Sequence, residues 1–208
     1  EEESIGPVIR EFQALGFPNI LLADGHSTDG TVDIARAAGA RIFVQSGSGK
    51  GQAMKEVLEV IEEDYILLID GDGTYLPSEA PGLLEPVLKG RAEHVVGNRH
   101  GRMQGGALKR LNMFGNKMIN FFFSTIYRVH LTDILSGYRA FTREGIRRLD
   151  LSTPGFEIES EMTIASVKKG LRMVEVPISY RPRTAGPKTP PPPFRHVLKI
   201  LLTTVPRC

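Results

Sequence analysis

Two hydrophobic periods alternate along the first hundred residues. Short β-branched runs predict strands at Asn19–Ala23, Arg41–Gln45, Tyr65–Asp70 and Glu93–Gly97. Between them, apolar positions three and four apart predict helices over Ile5–Leu15, Thr31–Ala38, Lys50–Ile61 and Ser78–Leu88. Pro7 suits the first turn of the first helix, and Gly39 stops the second. The run Tyr65-Ile66-Leu67-Leu68-Ile69 shows no polar alternation, so it is expected to be buried on both faces. This βαβα rhythm predicts an α/β fold with a doubly wound, mostly parallel sheet. Such a sheet is also expected to use a strand ahead of Glu1.

Past Asn98 the rhythm breaks. Gly101–Gly106 reads as a loop and Leu108–Tyr127 as a helical stretch, with Leu111, Phe114, Met118 and Phe122 at helical spacing and Lys109, Arg110 and Lys117 nearby. That stripe fits either core packing or an interfacial helix. Glu159–Lys169 reads as a helix ended by Gly170, and Arg172–Val176 as a strand stopped by Pro177. Arg181–Pro193 is basic, Pro-rich and extended, and Phe194–Val205 is a short amphipathic helix. One domain over 1–208 is expected, with stretches at 1–98, 99–180 and 181–208.

Composition changes this picture little, and charge changes it more. At 208 residues, 41% hydrophobic and 24% charged, the chain has ordinary globular values. Its single cysteine, Cys208, allows no intrachain disulfide, which fits a reducing compartment. No apolar run reaches the length of a membrane span. Residues 1–98 hold 7 Lys/Arg against 17 Asp/Glu, whereas residues 99–148 hold 10 against 2. A basic segment with interleaved Phe and Met suits an anionic lipid surface. No recognition motif supports nucleic acid as the partner.

The chemistry concentrates at strand ends. Asp70-Gly71-Asp72 follows the buried run, at the carboxyl end where open α/β sheets bind ligands. Two carboxylates on a short turn repel unless a cation lies between them, and hard oxygens suit Mg²⁺ or Mn²⁺ bridged to phosphates. Asp24, ending an earlier strand, is placed to accept hydrogen bonds from a base or ribose, while Ser27, Thr28 and Asp29 read as caps for the next helix. Gly47-Ser48-Gly49-Lys50-Gly51 is no Walker A loop, because Val44 stands where its first glycine belongs and Gly51 where Ser or Thr belongs. A glycine turn with Lys50 opening a helix still suits an anion. The acidic turn is not an EF-hand, and the five histidines show no zinc spacing.

In chain order come Asp24-Gly25-His26-Ser27-Thr28-Asp29-Gly30-Thr31, Gly49-Lys50-Gly51, Asp70-Gly71-Asp72, Leu131 to Arg139 (LTDILSGYR), Phe156-Glu157-Ile158-Glu159 and Glu175-Val176-Pro177-Ile178. This ordered set resembles the family 2 glycosyltransferases of GT-A fold, and within them the polyprenyl-phosphate sugar synthases, including archaeal members that begin N-glycan assembly on dolichol phosphate. The resemblance covers nearly the whole chain. It implies a nucleotide-sugar donor, leaning to a UDP-sugar, and a dolichyl or polyprenyl phosphate acceptor. It further implies Mg²⁺ or Mn²⁺ at Asp70 and Asp72, amphipathic helices on the membrane side, and a peripheral place on the cytoplasmic face of a membrane. Donor binding falls on Glu1, Asp24, Lys50, Asp70, Asp72, Arg183 and Lys188. Glu1 is read as the remnant of an Asn-Glu pair. Acceptor phosphate falls on Arg99, Arg110, Arg139 and Ser136. Thr74 departs from the family's glutamine, a further metal ligand, and Phe114 from its usual serine. The absence of tryptophan excludes the Gln-x-x-Arg-Trp motif of processive synthases.

A lipid monophosphate with a second pKa of about 6 is anionic near neutrality. It needs no general base, so positioning and charge neutralisation carry the expected inverting transfer. Asp133, where a base lies in relatives with hydroxyl acceptors, is expected to orient the Ser136–Arg139 loop instead. Arg183 to Lys188 is either a lid over the diphosphate or a basic linker. Two other functions stay open: a sugar-phosphate nucleotidyltransferase, and a catalytically silent lipid-binding domain of the same fold.

Overall fold

The computed structural model describes residues 1–103, 123–127, 129, 131–155 and 157–182. The predicted alternation is present as α1 Ile5–Ala14, β1 Leu21–Asp24, α2 Thr31–Ala37, β2 Arg41–Val44, α3 Lys50–Val60 and β3 Tyr65–Leu68. A 3-10 turn at Pro77–Glu79 leads into α4 Ala80–Leu88. Then follow β4 His94–Met103, β5 Arg139–Thr142, α5 Arg143–Arg147, α6 Ile158–Lys168 and β6 Met173–Tyr180. Of the helix expected at Leu108–Tyr127, only 123–127 are described, and these are helical. The helix expected at Phe194–Val205 lies outside the described residues, as does the Pro-rich stretch from Arg183 on.

Three elements differ from the sequence reading. β4 continues past Asn98 through the first residues of the expected loop, at the cost of a shift in pairing between Asn98 and Arg102. β6 likewise passes through Pro177, which pairs with Asn98 at that irregularity. A proline lacks a ladder donor, and β6 tolerates it as the outer strand of its sheet. β5 lies inside what reads as a loop; four residues opening on a charged Arg139 give no strand signal. Its neighbours are nonetheless buried on opposite faces, Ala140 towards α4 and Phe141 towards α6.

The sheet is mixed rather than mostly parallel. β1 and β2 pair in parallel, and the second sheet runs β3-β5-β4-β6, with β5 antiparallel to both neighbours and β4 parallel to β6. Leu83, Val87, Val95 and Ile178 fill one face with Val8 and Phe12 of α1. Ile66, Ile146, Ile158 and Met162 fill the other. Each such side chain contributes about 1.5–3 kcal/mol by leaving water. This two-sided burial fixes the carboxyl end of β3, while Leu22 of β1 packs separately against Ile5, Ile9 and Ala35; the candidate site is built from these two strand ends.

Among the described residues, β1 pairs with β2 and β3 with β5. Between β1 and β3 lies a cavity of about 550 Å³ with apolar lining from Phe12, Leu22 and Leu67 and polar lining from Gln45, Lys50 and Asp70.

Candidate functional site

The acidic turn after β3 is shaped by its own residues. Gly73 takes a left-handed φ of 73°, and Asp72 Oδ1 accepts hydrogen bonds from the Thr74 backbone N–H at 3.0 Å and hydroxyl at 2.7 Å. Thr74 is buried, and its hydroxyl and backbone N–H aim Asp72. Ser4 Oγ donates to the Gly71 carbonyl at 2.8 Å and ties the turn to the start of α1.

Asp70 carries a cation already. Lys50 Nζ lies 2.5 Å from Asp70 Oδ1 and 2.6 Å from Glu159 Oε1. Burial works against the lysine charge, but the Glu159 and Asp70 carboxylates more than offset it and raise its pKa above the ordinary range. The glycines on either side of Lys50 are steric requirements: a Cβ on Gly49 would collide with the Pro154 carbonyl oxygen, and one on Gly51 with that of Thr153. That carbonyl of Pro154 also accepts from Gly51 N at 2.9 Å and Gln52 N at 3.2 Å. Two donors at the start of α3 are therefore spent on protein, so Lys50 itself, rather than the helix end, is the cationic feature of this turn.

Asp24 is buried, and its carboxylate receives the backbone N–H groups of His26 at 3.0 Å and Ser27 at 3.1 Å. The turn it holds places His26 at φ 67°. Its structural task is thus to shape the turn after β1. Asp29 accepts from Thr31 N at 3.1 Å, in keeping with its reading as a cap. The Glu1 nitrogen lies 2.8 Å from both Asp29 Oδ2 and Thr31 Oγ1, so Glu1 sits beside this turn.

Arg99 leaves β4 buried against Asp133. Nε and Nη2 each donate at 2.7 Å, to Oδ2 and Oδ1, and the backbone N–H adds a third bond at 2.9 Å. The Tyr180 ring lies 5.3 Å from the guanidinium carbon. Burial opposes the arginine charge, but Tyr75, Asp133 and Tyr180 outweigh it and hold the pKa above its usual value. The Asp133 carboxylate thus binds Arg99, while its backbone carbonyl accepts from Ser136 N at 3.4 Å, at the start of the loop it was expected to orient.

Ser136 and Arg139 require a correction. Both are fully buried, and β5 pairing draws Arg139 between Leu68 and Val96. Its guanidinium donates to the carbonyls of Ser136 at 2.8 Å and Ile134 at 2.6 Å, to Thr163 Oγ1 at 2.9 Å and to His94 Nε2 at 3.0 Å. Burial lowers its pKa to about 10, which leaves it charged at neutrality. Arg139 organises the 131–138 loop from inside and does not face an acceptor. His94 accepts from Arg139 and so donates through Nδ1 to Ser166 Oγ at 2.8 Å.

Gly137 joins the two halves. Its N–H donates to the Tyr75 hydroxyl at 2.9 Å, and a Cβ there would lie 2.6 Å from Asp70 Oδ2. Burial raises the Tyr75 pKa to about 12, and both Arg99 and Asp70 act on it electrostatically. One loop thus meets Arg99 through Asp133 and the acidic turn through Gly137. Tyr75 and Glu159 are part of the site without having been singled out from sequence; Glu159 lay within a quoted motif, while Tyr75 had no signal. Arg110, Arg183 and Lys188 lie outside the described residues. Among the described residues no three or more His, Cys, Asp or Glu side chains are clustered so as to hold a metal ion by themselves. No described helix is long and apolar enough to cross a membrane.

The sequence pattern described as Glycosyl transferase family 2 matches residues 1–150. The chain is 46% identical over 196 residues to glycosyltransferase AglJ of Haloferax volcanii, covering 94% of this chain and 64% of that protein. It thus spans less than two thirds of that relative's length. It is 30% identical over 195 residues to the dolichyl-phosphate hexose transferase of the same organism, covering 92% of this chain and 83% of the relative. The fold matches Mycobacterium tuberculosis glucosyl-3-phosphoglycerate synthase, solved with Mn²⁺, UDP and glucosyl-3-phosphoglycerate, at a TM-score of 0.79 and 24% identity over 98% of this chain and 76% of that one.

Proposed function

We propose, on the premise that this chain belongs to glycosyl transferase family 2, that it moves a sugar from a nucleotide-sugar donor to a polyprenyl phosphate such as dolichyl phosphate. The observation that carries this reading is Gly137, whose missing side chain lets the loop that holds Arg99 close on Asp70. A site for a leaving diphosphate and a site for an incoming phosphate then share one loop.

The donor end is the acidic turn with Lys50. Two carboxylates on one turn are the hard oxygen donors that would suit a divalent cation, with the Lys50 ammonium already on Asp70 Oδ1. Asp70 and Asp72 would hold Mg²⁺ or Mn²⁺, which supplies positive charge for the departing diphosphate. Lys50 adds a second positive charge there, and Thr74 keeps Asp72 aimed. The UDP bound by the structural neighbour and the acceptor in the relative's name support the choice of substrates.

At the acceptor end Arg99 orients a phosphate oxygen, with Arg110 of the following segment as its companion. Asp133 cannot act as a base while both oxygens bind Arg99, which suits an acceptor that arrives as an anion. Inversion at the anomeric carbon follows from direct attack by that oxygen. Arg183 and Lys188, outside the described residues, are read either as a lid over the diphosphate or as part of a basic linker, and the basic, aromatic stretch after Asn98 is assigned to the cytoplasmic face of a membrane.

The test is transfer of labelled sugar from a panel of UDP- and GDP-sugars to dolichyl phosphate, with dolichol as control. Transfer is expected only to the phosphate and only with Mg²⁺ or Mn²⁺. Undiminished transfer by Asp72→Ala overturns the metal role, and transfer to dolichol overturns the acceptor role.

A further inference from the structure

Glu175 has no part in the chemistry above. It lies on β6 opposite Val96 of β4. Its Oε1 accepts from two consecutive backbone N–H groups, Thr132 at 2.7 Å and Asp133 at 2.8 Å. Its Oε2 accepts from Thr132 Oγ1 at 2.9 Å and Asn98 Nδ2 at 3.4 Å. Hydrogen bonds to a carboxylate are roughly twice as strong as neutral ones. Here they converge on the residue pair from which the Asp133 side chain departs to grip Arg99.

We propose that Glu175 is a positioning residue for the acceptor phosphate, acting through Asp133 on Arg99. This rests on the reading of Arg99 as the group that meets that phosphate. The loop is anchored at both ends: Arg139 binds the carbonyls of Ile134 and Ser136 from inside, and Glu175 binds the N–H groups of Thr132 and Asp133 from β6. With the inner anchor alone, the start of the loop can rotate, and Asp133 loses the approach that lets both its oxygens face the guanidinium fork. Asn98 adds a contact from the residue next to Arg99, so Glu175 spans both partners of the pair. A residue that merely stabilised the fold would affect donor and acceptor use alike. One that sets Arg99 affects the acceptor selectively.

Glu175→Ala and Glu175→Gln in the full protein test this. Glutamine keeps a carbonyl for the two N–H groups but turns a second donor towards Asn98, so it should restore part of the loss. Glu175→Ala is expected to raise the KM for dolichyl phosphate roughly tenfold while the KM for the nucleotide sugar stays within about twofold. Hydrogen exchange at the Thr132 and Asp133 amides is expected to accelerate in the same variant. Equal changes in both KM values, or an unchanged acceptor KM beside faster exchange, overturn the proposal. Unchanged exchange at both amides overturns the anchor itself. If the wild-type protein binds the nucleotide sugar yet never glycosylates a polyprenyl phosphate, the acceptor reading fails, and the exchange measurement alone decides the anchor.

Discussion

Arg99 and Asp133 form a fork with two 2.7 Å hydrogen bonds, and the Arg99 backbone N–H adds a third to the same carboxylate. Both side chains are buried, so each neutralises a charge largely withdrawn from water. Removing one partner strands the other. Asp133→Asn keeps the shape but loses the charge, and is expected to cost about 3 kcal/mol. The double variant Arg99→Met with Asp133→Leu removes both charges and should regain part of that stability while losing acceptor use. Urea unfolding of the three proteins checks this, and a double variant less stable than Asp133→Asn would contradict the stranded-charge account.

The glycines beside Lys50 make a second prediction. A methyl group on Gly51 meets the Thr153 carbonyl oxygen, and neither backbone can yield without moving the bonds that Gly51 and Gln52 make to Pro154. Gly51→Ala should cost about 1–3 kcal/mol as an overpacked site. It should also weaken nucleotide-sugar binding by displacing Lys50 from Asp70. Thermal unfolding and calorimetry of UDP binding read the two effects, and wild-type values in both would refute the steric argument.

His94 predicts a pH dependence. Burial, with Arg139 beside it, holds its pKa well below 6.5. The folded protein keeps the ring neutral, whereas the unfolded chain takes up a proton below that value. The stability tied to His94 is therefore complete above about pH 6.5 and is lost as pH falls, by up to about 1.4 kcal/mol per pH unit. The advantage of wild type over His94→Gln should shrink between about pH 7 and about pH 5. Urea unfolding at both values decides it, and a constant difference counts against a neutral buried ring.

The helices and strands before Asn98 were legible because each carries its own period. The acidic turn was legible because two carboxylates at the end of an apolar run stand out against any background. β5 was not, since a four-residue strand that starts with arginine has no local mark of burial. Arg139 was misjudged for the same reason: an arginine in a motif reads as a ligand for phosphate until the pairing on both sides of it is known. Arg99 was singled out as a ligand for phosphate, but its pairing with Asp133 was not foreseen, because 34 residues separate the two.

By itself the sequence determined the α/β alternation, the turn at Asp70 and Asp72, and the family, because local periods and ordered motifs are written along the chain. Only the tertiary structure decided which charges face a ligand and which face each other. It bound Lys50 to Asp70 and Glu159, buried Arg139, and hung Asp133 between Glu175 and Arg99. The reason is physical: the role of a charge depends on whether water or a counter-charge neutralises it, and that depends on distances across the fold rather than along the chain.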